Sequence, residues 1–301
     1  KLMLGTYLSG AVRVRNLLRR QPDDARATAN TGAAREPVTL GRRLGRFVLL
    51  QRIGAGAMGV VYAAYDDQLD RKIAIKLLRP QNPRDNSRAQ ARLFREAQAM
   101  ARLSHPNVAV VHEVGTDGED VYVAMEFIRG TTVQTWLSSQ ARPWRDIVDV
   151  FLQAGRGLAA AHAAGLVHRD FKPSNVMIGA DGRVRVLDFG LCSTGRDGES
   201  DEHERPDRDL RTEVTAAAPK VTQGGEVVGT PAYMPPEQFS GRVVGPASDQ
   251  FAFCVSLYEA LYGQLPFPGE TIHELAHAVA RGEVRDAPRG TRVPAWLHGV
   301  V

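Results

Sequence analysis

The sequence predicts an α+β fold of two lobes, a small antiparallel β-sheet lobe with one helix and then a larger helical lobe. Three observations carry that expectation. Short runs rich in β-branched and aromatic residues, separated by turn residues, begin at Phe47. Beyond Gly130, apolar residues recur at three- and four-residue spacing instead. The composition is that of a globular chain: 301 residues, 43% apolar and 24% charged, allow a sizeable core, and only two cysteines exclude a disulfide-stapled scaffold.

Residues 2–20 place Leu4, Leu8, Ala11, Val14 and Leu18 on one stripe. A membrane-surface helix is the sharp reading; accidental periodicity in upstream sequence is preferred, because no signal or lipidation pattern accompanies it. Residues 21–41 read as a linker, and 1–46 together as a basic, disordered segment ahead of a domain at 47–301. FVLLQRI, GVVYAAYD and KIAIKLL are the first strands, and a helix follows over about 87–103. VAVVHEVG and VYVAMEFI are two more strands, joined by the Thr-Asp-Gly turn at 116–118. The first lobe is expected over about 47–127, a hinge at 126–130, and the second lobe over 131–301. There Ile147, Val150, Phe151, Ala154, Leu158 and Ala161 mark a helix stopped by Gly165. A hairpin turns at Asp181-Gly182, and 247–262 and 270–281 read as helices.

The net charge of +4 is unevenly spread. Residues 1–46 hold ten Lys or Arg against three acidic residues, a balance of +7, so the rest of the chain is at −3. A reader of phosphate backbones would concentrate positive charge in its folded body, so no nucleic-acid partner is expected. Cys192 and Cys254 fit a reducing compartment, and no stretch within 1–301 is long and apolar enough to span a bilayer. A cytoplasmic location is expected, with an anchor beyond Val301 left open.

Three elements carry chemistry. Gly54-Ala55-Gly56-Ala57-Met58-Gly59-Val60-Val61 joins two strands instead of opening a helix. Its amides could lie over phosphates; taken alone, that reading and a plain hairpin stand level. Lys76, between Ile75 and Leu77 in a half-buried strand, needs an anionic partner, and Glu96 on the next helix could supply one. Third, His168-Arg169-Asp170-Phe171-Lys172-Pro173-Ser174-Asn175 is followed thirteen residues later by Asp188-Phe189-Gly190. Short oxygen-bearing side chains such as Asn175 and Asp188 suit Mg²⁺, Asp170 can accept a hydroxyl proton, and Lys172 can neutralise a transferred phosphoryl group.

In this order and spacing, together with the GTPAYMPPE segment ending at Glu237, the set resembles eukaryotic-type (Hanks-type) serine/threonine protein kinases, bacterial members in particular. The resemblance spans about 47–301. It implies a bilobal protein-kinase-like fold and transfer of the γ-phosphate of ATP, with Mg²⁺ or Mn²⁺, to serine or threonine of protein substrates. It implies that Ile53 to Val61 cover the nucleotide, that Ala74 and Met177 line the adenine slot with Met125 at its back, and that backbone groups of Glu126 and Ile128 contact adenine. Lys76 would hold the α- and β-phosphates and pair with Glu96. Asp170 would take the hydroxyl proton, Lys172 steady the γ-phosphate, Asn175 and Asp188 bind the metal, and Thr230 sit beside Asp170. Asp249 resembles the helix aspartate that supports the catalytic loop. Arg169 beside Asp170 suggests control by autophosphorylation, with self-association, at Thr222 ahead of Thr215 and Thr212.

Some features depart from the family pattern. Residues 195–211 hold seven acidic and four basic side chains with almost no apolar ones, and are expected to be a disordered insertion. Pro235 stands for the usual Ala and Phe171 for the commoner Leu. The family's later helices, with the arginine that pairs with Glu237, are missing, so the chain is expected to be truncated, Glu237 unpartnered and the piece poorly stable. A catalytically impaired scaffold is the alternative that truncation favours. A small-molecule phosphotransferase is the third reading, which the peptide-loop-like GTPAYMPPE segment disfavours.

Overall fold

The computed structural model describes residues 41–56, 59–78, 86–118, 120–189 and 230–299. The expectations for residues 1–40, Ala57, Met58, the 195–211 insertion and Thr212, Thr215 and Thr222 lie outside the described residues. Within them the chain separates into two compact units: one holds the residues up to Phe94 together with Val111–Phe127, the other Arg95–Val110 and everything from Ile128 onward.

The first unit is a six-stranded antiparallel sheet in the order β1-β2-β3-β4-β6-β5. Its strands are β1 (Arg43–Leu44), β2 (Phe47–Gly56), β3 (Gly59–Asp66), β4 (Arg71–Leu78), β5 (Val111–Asp117) and β6 (Asp120–Glu126). The period-two alternation of a strand sorts its residues onto two faces. Leu44, Phe47, Leu49, Val60, Tyr62, Ala64, Ile73, Ile75, Leu77, Tyr122 and Ala124 form one buried cluster. Ala63, Ala74, Lys76 and Met125 take the alternate positions, with Ala63 opposite Ala74, Ala74 opposite Met125, and Val61 and Val123 flanking Lys76.

The sheet takes in a short strand, Arg43–Leu44, ahead of Phe47. Leu44 is fully buried, Gly45 turns at φ +56°, and Leu44 pairs with Phe47. Arg42 and Arg43 are ion-paired with Asp117 and Asp67. A two-residue strand has no alternation to count, and its arginines gave it the look of a linker.

Helix α1 (Asn86–Ala101) crosses the division between the units after Phe94. The second unit then contains β7 (Gly130–Thr132), α2 (Val133–Ser139), α3 (Trp144–Ala163), β8 (Val176–Gly179), β9 (Val184–Val186), α4 (Pro236–Phe239), α5 (Pro246–Tyr262), α6 (Ile272–Arg281) and α7 (Ala295–His298). β7, β8 and β9 form a small antiparallel sheet. The apolar stripe of α3 is buried as predicted, and Phe151 packs edge-on against Phe253 of α5 at 5.5 Å between centroids. Gly165 closes α3 at φ +76°, and Gly182 turns the β8–β9 hairpin at φ +75°.

The expected strand over 108–115 is in fact two features. Val108 makes a parallel bridge to Val186, Ala109 N–H donates to Val186 O at 3.0 Å, and the Asn107 amide donates to Val184 O at 2.8 Å. Gly157 permits this approach, because a Cβ there would stand 2.3 Å from Asn107 O. These bonds bring Arg95–Val110 into the second unit, away from the first lobe to which 47–127 was assigned, and β5 starts only at Val111.

Candidate active site

The loop after α3 is organised by one buried carboxylate. Asp249, in the first turn of α5 and 1% exposed, accepts backbone N–H bonds from His168 and Arg169, both 2.7 Å, and lies 2.7 Å from His162 Nε2. Charge-assisted bonds of this kind are the strong ones, and a dry setting strengthens them further. Arg169 needs the restraint: its φ of +68° is one that non-glycine residues rarely adopt, at a cost of about 1–3 kcal/mol. On its other side, Gln238 Nε2 donates to Arg169 O at 3.4 Å.

His168 is fully buried and its tautomer follows from its neighbours. Nε2 faces Leu187 O at 2.7 Å and must be the donor; Nδ1 faces Asp170 N–H at 3.3 Å and must accept. The ring is therefore neutral, and burial holds its pKa below the ordinary 6.5. It is packed between the rings of Phe171 and Phe189, at 5.7 and 4.8 Å. This resolves the conservative place of Phe171: it is a core residue 1% exposed, for which an apolar ring serves as well as an aliphatic chain.

These restraints leave Asp170 held but usable. Its side chain is 9% exposed; Lys172 Nζ donates to Oδ2 at 2.8 Å, and Asn175 Nδ2 donates to the same oxygen at 3.2 Å and to Asp170 O at 2.8 Å. Both partners of the Asn175 amide nitrogen are acceptors, so its oxygen points to the opposite side. Leu187 N–H donates to Asn175 O at 2.8 Å while Leu187 O accepts from His168, so the backbone next to Asp188 is fixed to the loop at two points. Asp188 itself turns at φ +60°. Asp170, Lys172, Asn175 and Asp188 thus belong to one hydrogen-bonded loop system. A cavity of about 10 Å³ behind it, bounded by Tyr233, Pro235 and Asp249, has room for about one water.

An amide oxygen and a carboxylate are hard donors and fit Mg²⁺. Among the described residues there is no group of three His, Cys, Asp or Glu that could hold a metal. Asn175 and Asp188 would supply part of the shell of such an ion, which would offset the negative charge of bound phosphates.

The other expected residues fall as follows. Lys76 is 4% exposed on β4, with Ala74 two positions before it. Gly54, Ala55 and Gly56 end β2, Ile53 is 49% exposed, and Val60 and Val61 follow Gly59 in the return strand β3. Gly59 has φ +150°, and a Cβ there would stand 1.9 Å from Leu77 O, so glycine is required. Met125 and Glu126 end β6 in the first unit; Ile128 and Met177, the latter opposite Thr132 and Arg185, lie in the second. Lys76 and Glu96 fall in different units, and within its own unit Glu96 Oε1 lies 4.0 Å from Arg169 Nη1, at the outer limit of an ion pair. Thr230 opens a 3-10 turn over Thr230–Tyr233. Glu237, expected to be unpartnered, receives the Ser248 hydroxyl. His162 was missed by sequence reasoning; a histidine in a helix's last turn reads as an ordinary dipole partner, and nothing local ties it to a residue 87 positions away.

A family model described as "Protein kinase domain" matches residues 47–296. The chain belongs to the protein kinase family. It is 36% identical over 250 residues to the serine/threonine-protein kinase PknA of Mycobacterium tuberculosis, covering 81% of this chain and 52% of that one. It is 31% identical over 266 residues to the serine/threonine-protein kinase PrkC of Bacillus subtilis, covering 87% and 38%. The chain therefore spans about half or less of the length of these relatives. The solved kinase domain of Mycobacterium tuberculosis PknI, a double mutant, shares the fold, with a TM-score of 0.58, 24% identity and coverage of 77% of this chain and 79% of that one. No helix among the described residues is long and apolar enough to cross a membrane.

Proposed function

We propose that this kinase domain transfers the γ-phosphate of ATP to serine or threonine hydroxyls of protein substrates. The observation that carries the proposal is the restrained carboxylate of Asp170, held by Lys172 and Asn175 on a loop bonded to the buried Asp249. Phosphoryl transfer passes through a loose transition state, so positioning and charge neutralisation supply most of the acceleration. In this reading Asp170 orients the acceptor hydroxyl and takes its proton. Lys172, already 2.8 Å from Asp170, neutralises charge developing on the transferred group. Asn175 and Asp188 hold Mg²⁺ or Mn²⁺, which when bound offsets the negative charge of the phosphates. The reading gives Lys76 the α- and β-phosphates, the Gly54–Val61 turn the cover over them, Glu96 the pairing of Lys76, and Ala74, Met125, Glu126, Ile128 and Met177 the adenine. Thr230 and Lys172 together favour a serine/threonine acceptor.

Regulation by autophosphorylation at Thr222, with self-association, belongs to the same proposal, as does action in the cytoplasm. Its support is the place of Arg169, next to Asp170 in the chain, where a guanidinium suits a phosphate opposite it. Mass spectrometry of active protein should find phosphate at Thr222; active protein unmodified across 191–229 contradicts it.

The test of activity is transfer of labelled phosphate to a generic basic protein, followed by analysis of the modified residues. Phosphoserine and phosphothreonine are expected with the wild-type chain and background label with Asp170→Asn. Equal labelling by both, or label confined to a small-molecule acceptor, contradicts the proposal.

A further inference from the structure

We infer that α6 carries a surface chelate for one transition-metal ion of the zinc, nickel or copper class, formed by His273 and His277. The two histidines are four residues apart on one helix, which puts their side chains on one face, one turn apart. Both are exposed, and both line an open cleft of about 480 Å³ whose wall includes Pro268, Ala278 and Glu283. Imidazole nitrogens suit zinc, nickel and copper, whereas the Mg²⁺ of nucleotide chemistry prefers oxygen, so the two ions do not compete for one site.

The helix holds the pair in place. Thr271 and Glu274 close a capping box at its start, Gly282 caps its end in the left-handed conformation, and Leu275, Ala278 and Val279 anchor the helix in a buried cluster with Val255 and Phe267. A stiff backbone keeps the two rings one turn apart before metal arrives, which lowers the ordering cost of chelation.

The run His273-Glu274-Leu275-Ala276-His277 has the spacing of a zinc-hydrolase helix, in which the glutamate acts as base. Here that chemistry is blocked. Glu274 Oε2 accepts the backbone N–H of Glu270 at 2.9 Å and of Thr271 at 3.3 Å, so the carboxylate is committed to the cap. No third His, Cys, Asp or Glu among the described residues completes a cluster. Two nitrogens and water make up the coordination shell, and Glu283, ion-paired with Arg281 at 2.9 Å, adds negative charge to the same cleft. The site binds metal without hydrolysing peptides.

The experiment is a calorimetric titration of the metal-free chain with Zn²⁺, in Mg²⁺-containing buffer. One saturable ion is expected, with a rise in thermal midpoint as Zn²⁺ is added. His273→Ala and His277→Ala should each weaken this binding by about tenfold or more, since even outer-shell changes cost that much, and Glu283→Gln by less. Both histidines are exposed, so the metal-free midpoint should stay unchanged in each variant. Wild-type affinity in the double variant, or absence of saturable binding to the wild-type chain, overturns the inference.

Discussion

In the proposed function the glycine-rich turn and the loop at His168–Asn175 share one task, the handling of charged phosphate, and the two are built by opposite means. Gly54–Gly56 and Gly59–Val61 are held by the ladder of their own two strands; the special requirement is steric, the room that Gly59 leaves for Leu77 O. The loop at His168–Asn175 has no ladder and borrows its rigidity from Asp249, about 80 residues away, from His162 and from Leu187. Backbone chemistry can be written into a short stretch of sequence. A positioned carboxylate needs support collected from across the fold.

That contrast can be broken experimentally, most forcefully at Asp249. Asp249→Ala removes the acceptor for two backbone N–H groups, that of His168 buried and that of Arg169 partly so, and the partner of His162, and should cost about 2–5 kcal/mol of stability. Chemical denaturation measures the loss, and an unaltered midpoint would show that the loop holds itself. Gly59→Ala should cost about 1–3 kcal/mol, because it forces Cβ into Leu77 O at a φ unfavourable to alanine. If the turn covers nucleotide, the variant that remains folded should raise KM for ATP more than it lowers kcat.

The buried imidazole supplies a pH test. His168 has a pKa below its ordinary value in the folded state, so below about pH 6.5 the unfolded chain takes up a proton that the folded chain refuses. Its contribution to stability is complete above pH 6.5 and declines as pH falls toward the lowered folded value, by at most about 1.4 kcal/mol per pH unit. Denaturation at pH 7.5 and 5.5, with the His168 resonance followed by NMR, should show lower stability at 5.5 and a ring less protonated there than an ordinary histidine. The smallest effect is expected at Tyr233, whose hydroxyl donates to the half-buried Glu259 at 2.7 Å. Burial and this bond push the tyrosine pKa up, and burial raises that of Glu259. Tyr233→Phe should cost about 1 kcal/mol, read from the shift in denaturation midpoint.

The same contrast explains what could be read from the residues alone. Strands β2, β3 and β4, helix α3 with its Gly165 stop and the Asp181-Gly182 hairpin were legible because their signals repeat within a few positions. Lys76 could be placed in a half-buried strand for the same reason. Arg43–Leu44 was not legible, being too short for a period, and neither was the departure of Val108 and Ala109 toward Val186, which depends on Gly157 in another element. At the site, Asp170, Lys172, Asn175 and Asp188 stood out through family resemblance. The bonds from Lys172 and Asn175 to Asp170, the tautomer of His168 and the partnership of His162 with Asp249 are properties of packing, with no local signature.

Residues that act as a unit are non-additive when removed together. If Asp249 works only by placing the loop that presents Asp170, single-turnover phosphate transfer by Asp170→Asn should fall by about 10²–10³-fold, by analogy with loss of one preorganised electrostatic contact. Adding Asp249→Asn to that variant should slow it little further, whereas Asp249→Asn alone should be markedly slow. Two losses that multiply would mean that Asp249 acts on the reaction by a separate route, and the account of a borrowed frame would fail.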